Sequence, residues 1–114
     1  MVKLEMYTDE FLKNLEQAKI KVRYLVSKQI RDDSNQFVRW DTGELKRSSE
    51  RGSDLPNGII GWDTSYAKRV YFTGRPSTDV NPNASLEWVQ VARARYSDDW
   101  VNRLVSVLKE VSNG

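Results

Sequence analysis

Two stretches of this 114-residue chain carry apolar residues at intervals of three and four, and the segment between them does not. In the first, Leu4, Tyr7, Phe11, Leu15, Ala18, Val22, Leu25 and Val26 share one stripe, with Lys13, Glu16, Gln17, Lys21 and Lys28 on the far side. That spacing predicts an amphipathic helix over about residues 8–35, roughly 35 Å long, with Thr8 or Asp9 placed to cap it. Ile20 and Tyr24, one turn apart, lie opposite the stripe and are candidate contacts for another chain. In the second, Leu86, Val89, Tyr96, Trp100, Leu104, Val107, Leu108 and Val111 form a stripe interrupted by Arg93. Trp88, Val91 and Ala92 add a second apolar side, so the first half of this helix, over about 85–111, is expected between two neighbours. Asn83 or Ser85, after Pro82, is placed to cap it.

Gly52, Pro56, Asn57, Gly58 and Gly61 punctuate the middle. "LPNG" reads as a turn between two short strands, about 46–54 and 58–62. "SYAKRVYF" suits either a helical turn or a strand. Residues 73–84 are mostly Gly, Pro, Asn, Ser and Thr and predict a long exposed loop. The expected architecture is a single α+β domain: a long N-terminal helix, a small β region over about 45–72 and a long C-terminal helix.

Charged residues at 30% and hydrophobic ones at 39% describe an ordinary globular chain. A net charge of +2 is too small to argue for a grip on duplex DNA, which needs several unopposed phosphate contacts. Cys and His are both absent, which excludes disulfides, thiolate nucleophiles, Cys/His zinc sites, imidazole bases and a Ser-His-Asp triad. No cofactor or metal is expected. The first seven residues do not read as a signal peptide, and no apolar run reaches the roughly 18 residues of a membrane span.

"WDTGELKR", from Trp40, is echoed 22 residues later by "WDTSYAKR", from Trp62. Asp41-Thr42-Gly43 has the signature of dimeric aspartic peptidases, but charged "ELKRSSER" follows it, and Asp41 is preceded by Arg39-Trp40 rather than an apolar strand. A capping role explains both copies: an Asp-Thr pair supplies oxygens to unpaired backbone N–H groups, Trp40 or Trp62 anchors the chain beside it, and Lys-Arg suits the negative end of the turn. Asp41 and Asp63 are then structural. On this reading Thr42→Ala and Thr64→Ala each cost on the order of 1 kcal/mol.

The ordered set of boxes resembles the minor capsid or tail-completion proteins of long-tailed double-stranded DNA phages. The matching positions are Asp41, Thr42, Gly43, Leu45 and Ser48; Trp62, Thr64, Tyr66, Ala67 and Tyr71; and Asn81, Pro82, Ala84, Trp88, Ala92 and Trp100. The resemblance spans about residues 41–101 and implies an α+β fold in which the long N-terminal and C-terminal helices are packed on a small antiparallel β-sheet. It implies a non-enzymatic neck protein, a homo-oligomeric ring of about six copies joining the DNA-filled head to the tail. Such a ring would meet a head-closure or adaptor protein on one side and a tail terminator on the other, with DNA passing through unread. It would be made in the bacterial host cytoplasm and end in the virion; tail terminator and head closure are sister roles. Closing a ring requires a head-to-tail interface, for which Ile20, Tyr24, Tyr71, Phe72, Arg75, Asn81 and Pro82 are candidates. A rival reading is a nucleic-acid module built on Arg23, Arg31, Arg39, Arg47 and Arg51 with Trp40, whose binding would weaken steeply with salt.

Overall fold

Helix α1, Asp9–Ser34, runs 26 residues and passes directly into a 3-10 turn at Asn35–Phe37. Three further helices follow: α2, Glu44–Gly52; α3, Ala67–Phe72; and α4, Trp88–Asn113. The computed structural model describes residues 9–40 and 42–113, without the side chains at 9, 11, 12, 112 and 113. The expectations for Leu4, Tyr7, Thr8 and Asp41, and for the side chains of Asp9 and Phe11, lie outside the described residues.

The expected α+β fold does not form. Among the described residues there is no strand or sheet, only one isolated antiparallel bridge between Asp54 and Ile59. Residues assigned to the first strand are helix α2 instead. Leu45, Ser48 and Ser49 stand at i, i+3 and i+4, so one helical face turns inward. Both buried serines satisfy themselves on the helix: Ser48 Oγ donates to the Leu45 carbonyl at 2.6 Å and Ser49 Oγ to that of Lys46 at 2.7 Å. A turn does occupy "LPNG", as a 3-10 turn at Leu55–Asn57 closed by Gly58 with φ +73°. The pairing stops after one bridge because the next position exchanges a side chain for a ladder bond: the Gly61 N–H donates to Ser53 Oγ at 3.1 Å. There the backbones of Gly52 and Gly61 pack directly, and a Cβ on either would sit 2.7 Å from the other's carbonyl oxygen. "AKRVYF", left open between helix and strand, is α3.

Helices α1 and α4 run antiparallel, with Trp100 beside Asp33 and Lys21 beside Glu110. The core lies at one end of this pair. Phe37, Val38, Leu45, Ala67, Val70, Trp88 and Ala92 form it, with Trp40, Trp62, Tyr66, Tyr71, Tyr96 and Trp100 packed around. Beyond the core the two helices continue alone, and the molecule measures 69 × 27 × 22 Å. Its radius of gyration of 18.4 Å exceeds the about 13 Å of a compact chain this long. The stripe assigned to the core is therefore only partly covered: Val107 is fully buried, but Leu15, Leu104 and Leu108 are exposed.

Neither Asn83 nor Ser85 caps α4. Glu87 precedes its first residue at φ +47°, and its carbonyl accepts the first helical bonds, from Gln90 and Val91. The Glu87 N–H donates to the Tyr71 carbonyl at 2.8 Å, which ties the start of α4 to the end of α3.

Candidate functional site

The indole N–H groups of three tryptophans converge on the end of α1 and the 3-10 turn that follows it. Trp40 Nε1 donates to the Asn35 carbonyl at 3.0 Å, Trp62 Nε1 to Asn35 Oδ1 at 2.9 Å, and Trp100 Nε1 to Asp33 Oδ2 at 2.7 Å. Asn35 is itself buried and donates to Ser49 Oγ at 2.9 Å, so one side chain links the 3-10 turn, α2 and the second Trp-Asp-Thr box. Asp33, also buried, accepts further bonds from Gln29 and Gln36. These donors are neutral amides and an indole, and they hold the carboxylate in place as a structural acceptor. Trp88 fills the centre, edge-on to Trp62 at 5.5 Å and to Tyr71 at 4.6 Å. Its own N–H is buried without a partner.

The two Trp-Asp-Thr boxes are used differently. Thr42 Oγ1 accepts the Glu44 N–H at 3.2 Å at the start of α2, and Gly43 takes the left-handed position there at φ +73°. A Cβ at Gly43 would meet only the far end of the exposed Arg47 side chain, which can swing aside, so it is the left-handed backbone that favours glycine here. Thr64 Oγ1, in contrast, is buried with no hydrogen-bond partner, and α3 starts without a side-chain cap. The expected cost of Thr64→Ala is corrected accordingly. Thr64→Val keeps the shape and removes an unsatisfied hydroxyl, so it is expected to leave the stability read from thermal melts unchanged or raise it by up to about 1 kcal/mol. Thr42→Ala lowers it in the same thermal melts. Asp63 is exposed beside Arg51 at 3.7 Å. The hydrogen bond that Arg51 donates to the Glu44 carboxylate is the main cause holding its guanidinium above the ordinary pKa.

Of the candidate interface residues, Ile20, Tyr24, Phe72, Arg75 and Pro82 are exposed. Asn81 is not. It is 1% exposed, donates to the carbonyls of Gln36 and Val38 at 2.9 and 2.7 Å, and accepts the Asn83 N–H. It pins the loop 73–84 from within. Tyr71 is half-buried against Trp88. That burial, followed by the negative charge of Glu87, raises its phenol pKa above the usual value near 10. The neutral phenol is thus favoured in the folded chain: the stability is complete below about pH 10 and is lost as pH rises through the folded pKa. Alkaline melts should show a steeper loss above about pH 10 in the parent than in Tyr71→Phe.

Four of the five arginines in the nucleic-acid reading are engaged. Arg23 donates to the Pro56 carbonyl, Arg31 pairs with Asp32, Arg47 with Glu44, and Arg51 with Glu44 and Asp63. Arg39 shares a 210 Å³ cleft with Arg69, Thr42 and Tyr66. A 320 Å³ cleft between α1 and α2 mixes Arg31, Lys46 and Arg47 with Asp32 and Glu50. Among the described residues no three Asp or Glu side chains group as a metal site, and no helix is long and apolar enough to cross a membrane.

The sequence reading missed Val101 and Val105. Together with Leu104 and Leu108 they leave an apolar stripe on α4 uncovered, each 36–57% exposed. The signal was present: apolar residues on the second half of α4 span a wider arc than one neighbouring helix can cover. Comparison with family models, curated proteins and solved structures finds no match for this chain.

Proposed function

We propose that this chain is a non-catalytic structural protein of a phage neck, a tail-completion-type subunit that assembles with copies of itself into a ring, of about six, between head and tail. The observation that supports it is the use made of the three sequence boxes. Leu45 and Ser48, then Trp62, Tyr66 and Ala67, then Trp88, Ala92 and Trp100 all serve one buried scaffold. Residues spent on holding a scaffold leave function to the surface, and this surface is long and partly apolar. The reading rests on the order of those boxes and on that surface, not on the sheet the resemblance implied. Tail terminator and head closure are the sister roles in the same assembly. Against the peptidase reading stand Thr42 and Gly43, both occupied in starting α2.

The test is a phage carrying the gene with a nonsense mutation. The expected result is filled heads and finished tails that fail to join, with joining restored by the purified protein and the protein found at the neck of parent virions by immuno-electron microscopy. Normal particles from the mutant, or virions without the protein, would overturn the reading.

A further inference from the structure

We infer that the α1–α4 arm is the surface on which a second copy of this chain docks. This rests on the self-assembly part of the reading above but not on the neck, and the pairing is two-fold, so a ring needs a separate head-to-tail contact besides it. Val101, Leu104, Val105 and Leu108 stand at i, i+3, i+4 and i+7 of α4, a continuous stripe along one side. Leu108 also lines a 580 Å³ groove between the helices, whose other wall is Leu15, Ala18 and Val22 of α1. The stripe and the groove are therefore one apolar face of the arm. Two helices cannot enclose a core by themselves, and here only Val107 is fully buried between residues 101 and 111. Helices beyond a first core derive their stability from a covered apolar face.

Size and charge select a copy of this chain as the occupant. The arm, about 17 residues of α1 against the end of α4, presents a face about 25 Å long and about 20 Å wide. Paired with itself it buries about 1,000 Å² in all, the lower bound for a specific interface. Its two edges also carry opposite charge. Over residues 13–23, α1 has four cations against one carboxylate, whereas over residues 98–110, α4 has three carboxylates against two cations. The two edges already attract within one chain, where Lys21 Nζ meets Glu110 Oε1 at 3.1 Å. A second copy laid with its α4 over this α1 supplies the matching edge on both sides and closes a four-helix layer. A nucleic acid gains nothing from an aliphatic stripe.

The experiment compares parent, Val105→Glu/Leu108→Glu and a single-cysteine Val105→Cys chain, with Ile59→Cys as an exposed site off the arm; the parent's lack of cysteine makes the cross-links unambiguous. Sedimentation of the parent up to about 200 µM should show dimers or larger species. The double Glu variant should keep its helical circular dichroism and weaken association on the order of 100-fold or more. Val105→Cys should oxidise to a covalent dimer much faster than Ile59→Cys. A parent monomeric over that range would overturn the inference, as would a Glu variant assembling like the parent or Val105→Cys cross-linking no faster than Ile59→Cys. So would a monomer that instead binds anionic phosphatidylserine vesicles, since the face would then belong to lipid. Self-association through the arm in a protein absent from virions keeps this inference and removes the neck. A neck protein whose arm variants assemble normally does the reverse.

Discussion

Trp88→Ala is expected to lower the unfolding free energy by about 3–5 kcal/mol, the usual cost of emptying a large buried aromatic site. The side chain is 2% exposed and is held edge-on between Trp62 and Tyr71. Its loss therefore removes buried area, two favourable aromatic contacts and the filler between α3 and α4. For a domain of this size the melting temperature falls by about 10–20 °C. Trp88→Phe separates packing from hydrogen bonding. It retains much of the ring and deletes an N–H that is buried without a partner, so its cost is expected near 1–2 kcal/mol. Thermal and urea melts followed by circular dichroism check both. Unchanged melts for Trp88→Ala would refute the core described here.

Asn35→Ala is expected to cost about 2–4 kcal/mol, more than the volume removed would suggest. Truncation leaves the Trp62 indole N–H without its acceptor and Ser49 Oγ without its donor, both against buried surroundings. Asn35→Asp keeps an acceptor for Trp62; its protonated carboxyl can also donate to Ser49, so its loss should be partial at low pH and larger once the carboxyl ionises and that donor is gone. The discriminating measurement is a double-mutant cycle with Trp62→Phe. A coupling of about 1 kcal/mol or more identifies the bond across the cluster, and strict additivity removes it. Either variant also loosens the junction from which the arm projects, so association should weaken even though Asn35 lies far from the exposed stripe. That comparison separates residues that form the docking face from those that aim it.

The long helices were legible because their signal is local. Residues three and four apart share a face whatever surrounds them, so the periodicity from Leu15 to Val26 and from Val89 to Val111 announces α1 and α4. The turn at "LPNG" was legible for the same reason, since Pro56 and Gly58 restrict their own backbones. The region around it was misread because α2 buries serines where a helix usually buries apolar residues. The Leu45-Ser48-Ser49 face carries little hydrophobic contrast, and the Gly and Pro on its far side suggested a hairpin. Only the buried hydroxyl-to-carbonyl bonds make that face tenable, and they follow from the fold.

The repeated Trp-Asp-Thr box shows the same division. Its residue types announce a local device, but Thr42 finds an N–H and Thr64 does not, because the two helices that follow begin in different surroundings. Asn81 looked like part of an exposed loop by composition, and its burial depends on carbonyls at Gln36 and Val38, more than 40 residues earlier. What the sequence alone determined is the pair of amphipathic helices, the absence of cysteine and histidine chemistry, and the tryptophans as anchors. What only the tertiary structure decided is which apolar residues receive a partner. Burial depends on where neighbouring elements end: beyond the core, α4 has only α1 beside it, so Val107 is buried while Leu104 and Leu108, in the same turn of the same stripe, stay exposed.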